Sequence, residues 1–466
     1  MAHDRMPEAA QSRRGAYARD HVLIVSHSQK LPVPLEPSAD QMRALGEDVL
    51  DFVVDFIEQR ATAPADDRDH ALPQQVDDVL DYIGHAARKA VDPAGPGYLA
   101  YIPGGGLYTA ALADFITAAV NRYTTVAALA PAFVELEASV IRWIADLFDF
   151  PAEANGILTT GGSMANFSAL VTARESLGGH GGTIYVDDQA HHSIAKAAVL
   201  AGFPPDAIRV IPSDDADLRM DVEALDAAIN EDENPFLIVG SAGTTNTGAV
   251  DPLDDLATIA ATHQLWFHVD AAYGGFFQLT NRGKQKLAGV QRADSITLDP
   301  HKGMFLPYGS GCLIVRNGSE LKAAHTAGAE YMQDLSDVGL PNYAEYSPEL
   351  SRAFRGLRIW LPMQLHGEQA FTQALDEKLD LARHAYQRLK ATNLFDLPWH
   401  PELSVVAFHH PDGPRILEEV NASRRVFLSS TTIHQRHILR IAILSHRTHR
   451  DRVDEAVDLL EKAARQ

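Results

Sequence analysis

The chain contains a single cysteine, Cys312, in 466 residues. One thiol excludes an intrachain disulfide framework and any cysteine-rich zinc module. It lies in the apolar run Gly311-Cys312-Leu313-Ile314-Val315, which reads as a buried core position rather than a nucleophile. A reducing compartment is the natural setting for such a chain. Also lacking is any run of about 18 or more apolar residues, so no transmembrane helix and no membrane partner is expected. Basic residues are scarce: Lys+Arg 40 against Asp+Glu 62 leave a formal net charge of −22. That balance argues against a nucleic-acid partner, which would need a basic stripe. Fixed-period repeats and low-complexity blocks are absent too. What remains is ordinary, with 46% hydrophobic and 22% charged residues. This composition excludes wholesale disorder and supports a large core, in about three domains or one catalytic body with appendages.

Met1 to Lys30 carries several arginines but no long apolar segment, and Asp4, Glu8 and Asp20 argue against an organelle transit peptide. We expect a loosely ordered leader over 1–33 and a cytoplasmic protein. Pro32, Pro34 and Pro37 stiffen the entry to the folded part. Ser38 and Gln41 have capping-box spacing, and Met42, Leu45, Val49, Val53 and Phe56 follow at helical intervals. That stripe must cover either the main body or a twin subunit. After a break at Ala61–Pro73, Val76–Val91 reads as a second helix.

From about residue 130 short apolar runs alternate with helical stretches. The runs are Gly156–Thr160, Thr183–Asp187, Ile208–Ser213, Phe236–Ala242, Leu265–Asp270, Ser295–Asp299 and Gly311–Arg316. Polar only at their ends, they suit strands covered on both faces, which predicts a mostly parallel seven-stranded sheet in an α/β fold. A long helical region near Arg352–Lys390, two further apolar runs at Leu403–His409 and Ile438–Leu444, and a last helix from Thr448 predict a small C-terminal α+β domain. The expected divisions are 1–33, 34–125, 126–365 and 366–466.

Ligands of α/β sheets bind beyond the carboxyl ends of the strands, and chemistry-bearing residues gather there. Thr160-Gly161-Gly162-Ser163-Met164-Ala165-Asn166 follows the first strand and opens a helix. Its backbone N–H groups and the Ser163 hydroxyl could cradle a phosphate, or the glycines could serve only the turn. The pattern is neither a Rossmann fingerprint nor a Walker loop. Asp270 ends an apolar strand and is followed by Ala271-Ala272-Tyr273. It reads either as a helix cap or as the counter-ion of a cationic ring nitrogen. Lys302, in Asp299-Pro300-His301-Lys302, emerges from another apolar strand. It is either a surface loop lysine or a partly desolvated amine able to form a Schiff base. His191, just past a third strand, could stack on a planar ring. The remaining histidines, including His434/His437 and His446/His449, have no evident partner ligands, and no metal is expected.

With these pieces in order, the chain resembles the pyridoxal-phosphate-dependent group II amino acid decarboxylases, the aromatic-L-amino-acid type in particular. The resemblance runs from about Pro34 to the C-terminus. It rests on Gly-Gly-Ser-Met-Ala-Asn at 161–166, Gln-Ala-His at 189–191, Gly-Thr-Thr at 243–245, His-Val-Asp-Ala-Ala-Tyr at 268–273 and Asp-Pro-His-Lys at 299–302, in the family's order. It implies the type I, aspartate-aminotransferase-like fold, pyridoxal 5′-phosphate as cofactor, and a homodimer with shared active sites around which the N-terminal helices wrap. Residue by residue, it makes Lys302 the Schiff-base lysine and Asp270 the partner of the pyridinium nitrogen. Ala272 and His191 would pack on the two ring faces. Gly162, Ser163 and His301 would surround the phosphate, with Thr245 near the ring.

The segment Val338–Tyr346 reads as a mobile loop ahead of the arginine-rich Ser351–Trp360, and the resemblance puts Tyr343 at the family's catalytic-loop tyrosine, with Tyr346 a close competitor. Having both this tyrosine and the stacking histidine favours decarboxylation to an amine over aldehyde formation. Two departures stand out. Asp299 replaces the asparagine of animal enzymes and is expected to turn away from the phosphate. Pro103-Gly104-Gly105-Gly106 replaces bulkier residues beside the pocket. Tyr101, Ile102 and Pro103, joined by Tyr123 of the other subunit, would line an apolar slot for a flat side chain or merely pack a dimer interface. An aromatic amino acid is the expected substrate; acidic or diamino acids are the alternatives.

Overall fold

The computed structural model describes residues 34–44, 46, 47, 50, 91–179, 181–326 and 338–466. The expected leader, the stripe positions Leu45, Val49, Val53 and Phe56, the break at 61–73 and residues 76–90 of the expected second helix lie outside the described residues. At Ser38 the capping box forms: the Ser38 N–H donates to Gln41 Oε1 (2.9 Å) and the Gln41 N–H to Ser38 Oγ (3.3 Å).

The seven apolar runs become β1 (Asn155–Thr159), β2 (Thr183–Asp187), β3 (Ile208–Ile211), β4 (Pro235–Ser241), β5 (Trp266–Ala271), β6 (Ser295–Leu298) and β7 (Gly311–Val315). They form one sheet in the order β1-β7-β6-β5-β4-β2-β3. The contacts among β6, β5, β4, β2 and β3 are parallel, whereas β7 runs antiparallel to both β1 and β6. The reason lies in the connection. A parallel return needs a crossover of about a dozen or more residues, usually with a full helix. Between β6 and β7 the twelve residues 299–310 hold only the single helical turn Pro300–Gly303 and no full crossover helix, and the chain doubles back. That hairpin-like return leaves Lys302 at the edge where β1, β2, β4 and β5 also end.

Strand centres such as Leu158, Ile184, Leu237, Ile238, Val269, Ile296 and Leu313 are buried, as a sheet covered on both faces requires. The helix Gly162–Leu177 packs on β5, β6 and β7. Its buried residues Ala165, Ser168, Ala169, Thr172 and Ala173 are small, which lets it lie close to the sheet and brings its first turn over the strand ends. Among the described residues no helix is long and apolar enough to cross a membrane.

The long helical region splits into Gly356–His366 and Glu368–Thr392 at Gly367, whose φ of 75° ends the first helix. The second joins two cores. Phe371, Leu375 and Leu379 pack with the main sheet. Leu381, Ala382, Ala385 and Leu389 pack with a smaller cluster that includes the last helix, Arg450–Ala464. There β8 (Val405–His409), β9 (Ser429–Ile433) and β10 (Arg436–Ala442) form an antiparallel sheet, order β8-β10-β9. The expected apolar runs correspond to β8 and β10. Sequence reading missed β9 because Ser-Ser-Thr-Thr-Ile is polar and only partly buried, as suits an edge strand. The turn between β9 and β10 holds His434 and Gln435 at φ of 48° and 62°, the left-handed pair that a two-residue hairpin demands.

Candidate active site

The ends of β1, β4, β5 and β6, with the turn after β2, enclose a cavity of about 310 Å³. Thr160–Met164 forms one wall as the chain leaves β1 and enters its helix. A side chain on Gly162 would bring a Cβ to 3.0 Å from Asp299 Oδ2 and 3.1 Å from Ala272 Cβ, so the backbone must approach bare. Gly311 touches the same turn: a Cβ there would meet the Gly161 carbonyl carbon at 2.4 Å. The turn is thus a close-packed anion cradle, with helix-start N–H groups and Ser163 lining the cavity.

At the end of β5, Asp270 is almost wholly buried. Its Oδ2 accepts from Asn166 Nδ2 (2.9 Å) and its Oδ1 from the Ala272 N–H (3.1 Å). It caps no helix, because the next helical turn, Gly275–Leu279, begins at Gly274 without a side-chain cap. Asp270 therefore presents a carboxylate, oriented by two N–H donors, to the cavity it lines.

Beyond β6, Lys302 Nζ lies 2.9 Å from Asp299 Oδ2. Asp299 does not turn away as expected: it is buried, lines the cavity and is the lysine's counter-ion, and its Oδ1 has no hydrogen-bond partner among the described residues. The cause is geometric. In the short turn Pro300–Gly303 positions 299 and 302 share a face, and the half-buried ammonium pairs with the carboxylate. His301 Nδ1 lies 2.6 Å from Ser310 O, and burial pushes its pKa down against the opposing pull of Asp299. His191 also lines the cavity, its pKa lowered by burial despite Asp270 nearby. Thr245 reaches the cavity from the turn after β4, which Gly243 shapes with φ of 105°.

The structure thus gathers Lys302, Asp270, His191, Gly162, Ser163, Thr245, Ala272 and His301 around one cavity. It does not bring the expected substrate residues or the loop tyrosine to that cavity. Ile102 and Pro103 are buried, while Tyr101 and Tyr123 are exposed. Their segment packs instead behind the lysine turn, where Gly104 and Gly105 press on Tyr308 and Phe305. Tyr343, expected on a polar mobile loop, is fully buried, and its hydroxyl has no hydrogen-bond partner among the described residues. Its ring lies under the Arg352 guanidinium (5.0 Å), which is itself buried against Glu137. Packing of the ring and a cation–π contact outweigh the one hydroxyl. Tyr346 packs edge-on against Tyr343 in the same place.

Sequence reading missed Asn166 and Ser193, although Asn166 lay inside a quoted motif and Ser193 two places past His191. It also missed Arg440, whose signal is an arginine with apolar neighbours on both sides, Ile438-Leu439-Arg440-Ile441-Ala442. This buried side chain, its pKa lowered to about 10 by burial, bonds Asn246 O (2.8 Å), Tyr101 O (3.1 Å) and Thr245 O. It ties the cavity loop to the small C-terminal sheet.

Chemically, the cavity offers an amine for an aldehyde, an N–H-held carboxylate for a cationic ring nitrogen and a glycine cradle for a phosphate. These residues fit pyridoxal phosphate. The anion beside the cradle, Asp299, is offset by Lys302 at 2.9 Å. Among the described residues no cluster of three or more His, Cys, Asp or Glu side chains could hold a metal ion.

Comparison with known proteins agrees with this geometry. The profile of the pyridoxal-dependent decarboxylase conserved domain matches residues 62–410. An aromatic-L-amino-acid decarboxylase of Bacillus atrophaeus is 30% identical over 89% of this chain and 93% of its own length. An L-2,4-diaminobutyrate decarboxylase of Rhizobium meliloti is 32% identical over 71% of this chain and 70% of its own. Among solved structures, that of Oryza sativa TDC with PLP and tryptamine superposes with a TM-score of 0.78 at 25% identity, covering 92% of this chain and 98% of that one.

Proposed function

Because the chain belongs to the family of pyridoxal-dependent decarboxylases, and is thereby an amino acid decarboxylase that uses pyridoxal phosphate, we propose that its substrate is an aromatic L-amino acid and that Lys302, Asp270 and His191 carry the reaction. The observation that carries the assignment of residues is their convergence, with the Gly162–Ser163 cradle, on one cavity at the strand ends. The bound cofactor supplies an electron sink for the charge left at Cα when carbon dioxide departs.

The chain's residues divide the remaining work. Gly162, Ser163 and His301 hold the phosphate. Lys302 supplies the amine that binds the aldehyde, and Asp299, 2.9 Å away, takes and returns a proton at Nζ. Asp270, held by Asn166 and the Ala272 N–H, keeps a proton on the ring nitrogen. His191 and Ala272, which line the cavity, would pack against the cofactor ring and hold its orientation. Thr245 orients the ring from the β4 turn, braced by Arg440.

The aromatic substrate is supported by the similarity to an aromatic-L-amino-acid decarboxylase over 89% of this chain. The diaminobutyrate decarboxylase relative favours a diamino acid as the second reading. A homodimer is proposed from the large apolar side chains Tyr101, Phe115, Tyr123 and Leu129, which are exposed within one stretch of a single copy. We place the enzyme in the cytoplasm, consistent with its one buried thiol. Large and small domains are proposed to divide along the helix Glu368–Thr392, where the two cores meet.

The deciding experiment incubates the enzyme and cofactor with the protein amino acids, DOPA and 2,4-diaminobutyrate and identifies carbon dioxide, amine and aldehyde. Amine from tryptophan, tyrosine, phenylalanine or DOPA is expected. Amine from diaminobutyrate alone would replace the aromatic reading with the second one. Aldehyde with ammonia would overturn decarboxylation to an amine. Light scattering at micromolar concentration tests the dimer.

A further inference from the structure

Asp270 and His191 stand at the ends of different strands, yet one side-chain amide connects them. Trp266 provides the starting point, because an indole N–H only donates. Its Nε1 lies 2.9 Å from Ser295 Oγ, so that hydroxyl accepts there and has its own hydrogen left for His268 Nδ1, 2.8 Å away. His268 is wholly buried, which holds its pKa down to about 4 and keeps the ring neutral. With Nδ1 accepting, the ring proton sits on Nε2, which donates to Asn166 Oδ1 at 3.1 Å. The reverse orientation of the amide would set N–H against N–H here and carbonyl oxygen against carboxylate at Asp270.

The two hydrogens on Asn166 Nδ2 therefore point to Asp270 Oδ2 (2.9 Å) and Ser193 Oγ (3.0 Å). Having accepted that bond, the Ser193 hydroxyl donates to His191 Nδ1 at 2.8 Å, and the Ser193 backbone N–H reaches the same nitrogen at 3.3 Å. Neutral His191 then carries its proton on Nε2. The Asp270 carboxylate, which only accepts, sets the amide's direction at one end, and the Ser193 N–H, which only donates, marks His191 Nδ1 as an acceptor at the other. All the side chains from Trp266 to Ser193 are buried, and Trp266, Ser295 and His268 lie outside the lining of the cavity that Asn166, Asp270 and Ser193 share.

We propose that Asn166 is a positioning residue that sets both ring contacts at once: its single amide orients the Asp270 carboxylate and, through Ser193, selects the tautomer of His191. The proposal rests on the reading of Asp270 and His191 as cofactor residues. Its consequence is that the two contacts cannot be tuned independently, because one amide holds both.

Asn166→Asp tests this with little change in shape. Its added oxygen would accept from Ser193, leaving the Ser193 hydroxyl to accept from His191. Nitrogen-15 NMR of histidine-labelled, cofactor-free enzyme, with the His191 signals identified by their loss in His191→Gln, should show the His191 proton moved from Nε2 to Nδ1. Equilibrium dialysis should show the pyridoxal phosphate dissociation constant raised by more than about tenfold in Asn166→Asp and Asn166→Ala, but by less than about threefold in Ser193→Ala, where the bond to Asp270 survives. His191 still protonated on Nε2 in Asn166→Asp would overturn the tautomer assignment. Wild-type affinity in Asn166→Ala would overturn the positioning of Asp270, and this arm stands if Asn166→Asp fails to fold. Borohydride reduction of the wild type with mass mapping tests the underlying site separately: a label away from Lys302 would refute the site reading itself.

Discussion

His268 is neutral only because it is buried, and that gives acid stability a calculable contribution. Burial lowers its pKa from 6.5 to about 4, opposed in part by Asp270 and the Ser295 backbone. A histidine with a depressed folded pKa is protonated in the unfolded chain before it is protonated in the folded one. The unfolded state therefore binds more protons between about pH 4 and 6.5, and stability falls as the pH falls through that window. Going from about pH 7.5 to pH 5, this one group should remove about 2 kcal/mol. His191, His301, His325 and His446 are lowered by burial and act in the same sense, whereas Asp187 and Asp251, raised by burial, act in the opposite one, so the wild-type curve alone does not report His268. His268→Gln isolates the term, since glutamine keeps an N–H donor for Asn166 but does not titrate. Urea unfolding of cofactor-free wild type and variant, at one protein concentration, should show the variant less stable near pH 7.5. That gap should narrow by about 2 kcal/mol, or reverse, near pH 5. A gap that stays constant across the range would refute the argument that His268 is held neutral.

Three further outcomes are expected. Lys302→Ala should lose all measurable decarboxylation and all borohydride-dependent labelling by the cofactor, with the fold intact by circular dichroism; residual labelling at another lysine would contradict the site. Gly162→Ala should weaken cofactor binding at least about tenfold in a dialysis assay, because its new Cβ would crowd Asp299 and Ala272; unchanged affinity would mean that the cradle is not the phosphate site. Tyr343→Phe removes a buried hydroxyl without a hydrogen-bond partner among the described residues, so unfolding should show stability unchanged or raised by up to about 1 kcal/mol, with amine output preserved. A fall in turnover of more than about tenfold would show that Tyr343 leaves its place under Arg352 to reach the chemistry.

Much of this protein is legible along the chain because strand burial and strand-end chemistry are local properties. Apolar runs bounded by polar residues located β1 to β7, and Asp270, Lys302, His191 and Gly162 stand where those runs stop. The edge strand β9 escaped because its residues need not be apolar, and the reversed β7 because its direction depends on whether the connection before it forms a crossover helix. The burial of Tyr343 was not legible because Gly, Pro and Asn around a tyrosine suggest a loop, while the Arg352 guanidinium over its ring is held by the distant Glu137.

By itself the sequence determined the sheet, the family's motifs and the residue types that can hold a phosphorylated aldehyde, since each depends on neighbours a few positions away. Only the tertiary structure decided that Asn166, 104 positions from Asp270, would bond to it and that Arg440 would reach the carbonyl of Thr245. Those choices are made by side chains brought together from separate strands and helices, where a buried polar group must find whatever partner the packing leaves within reach.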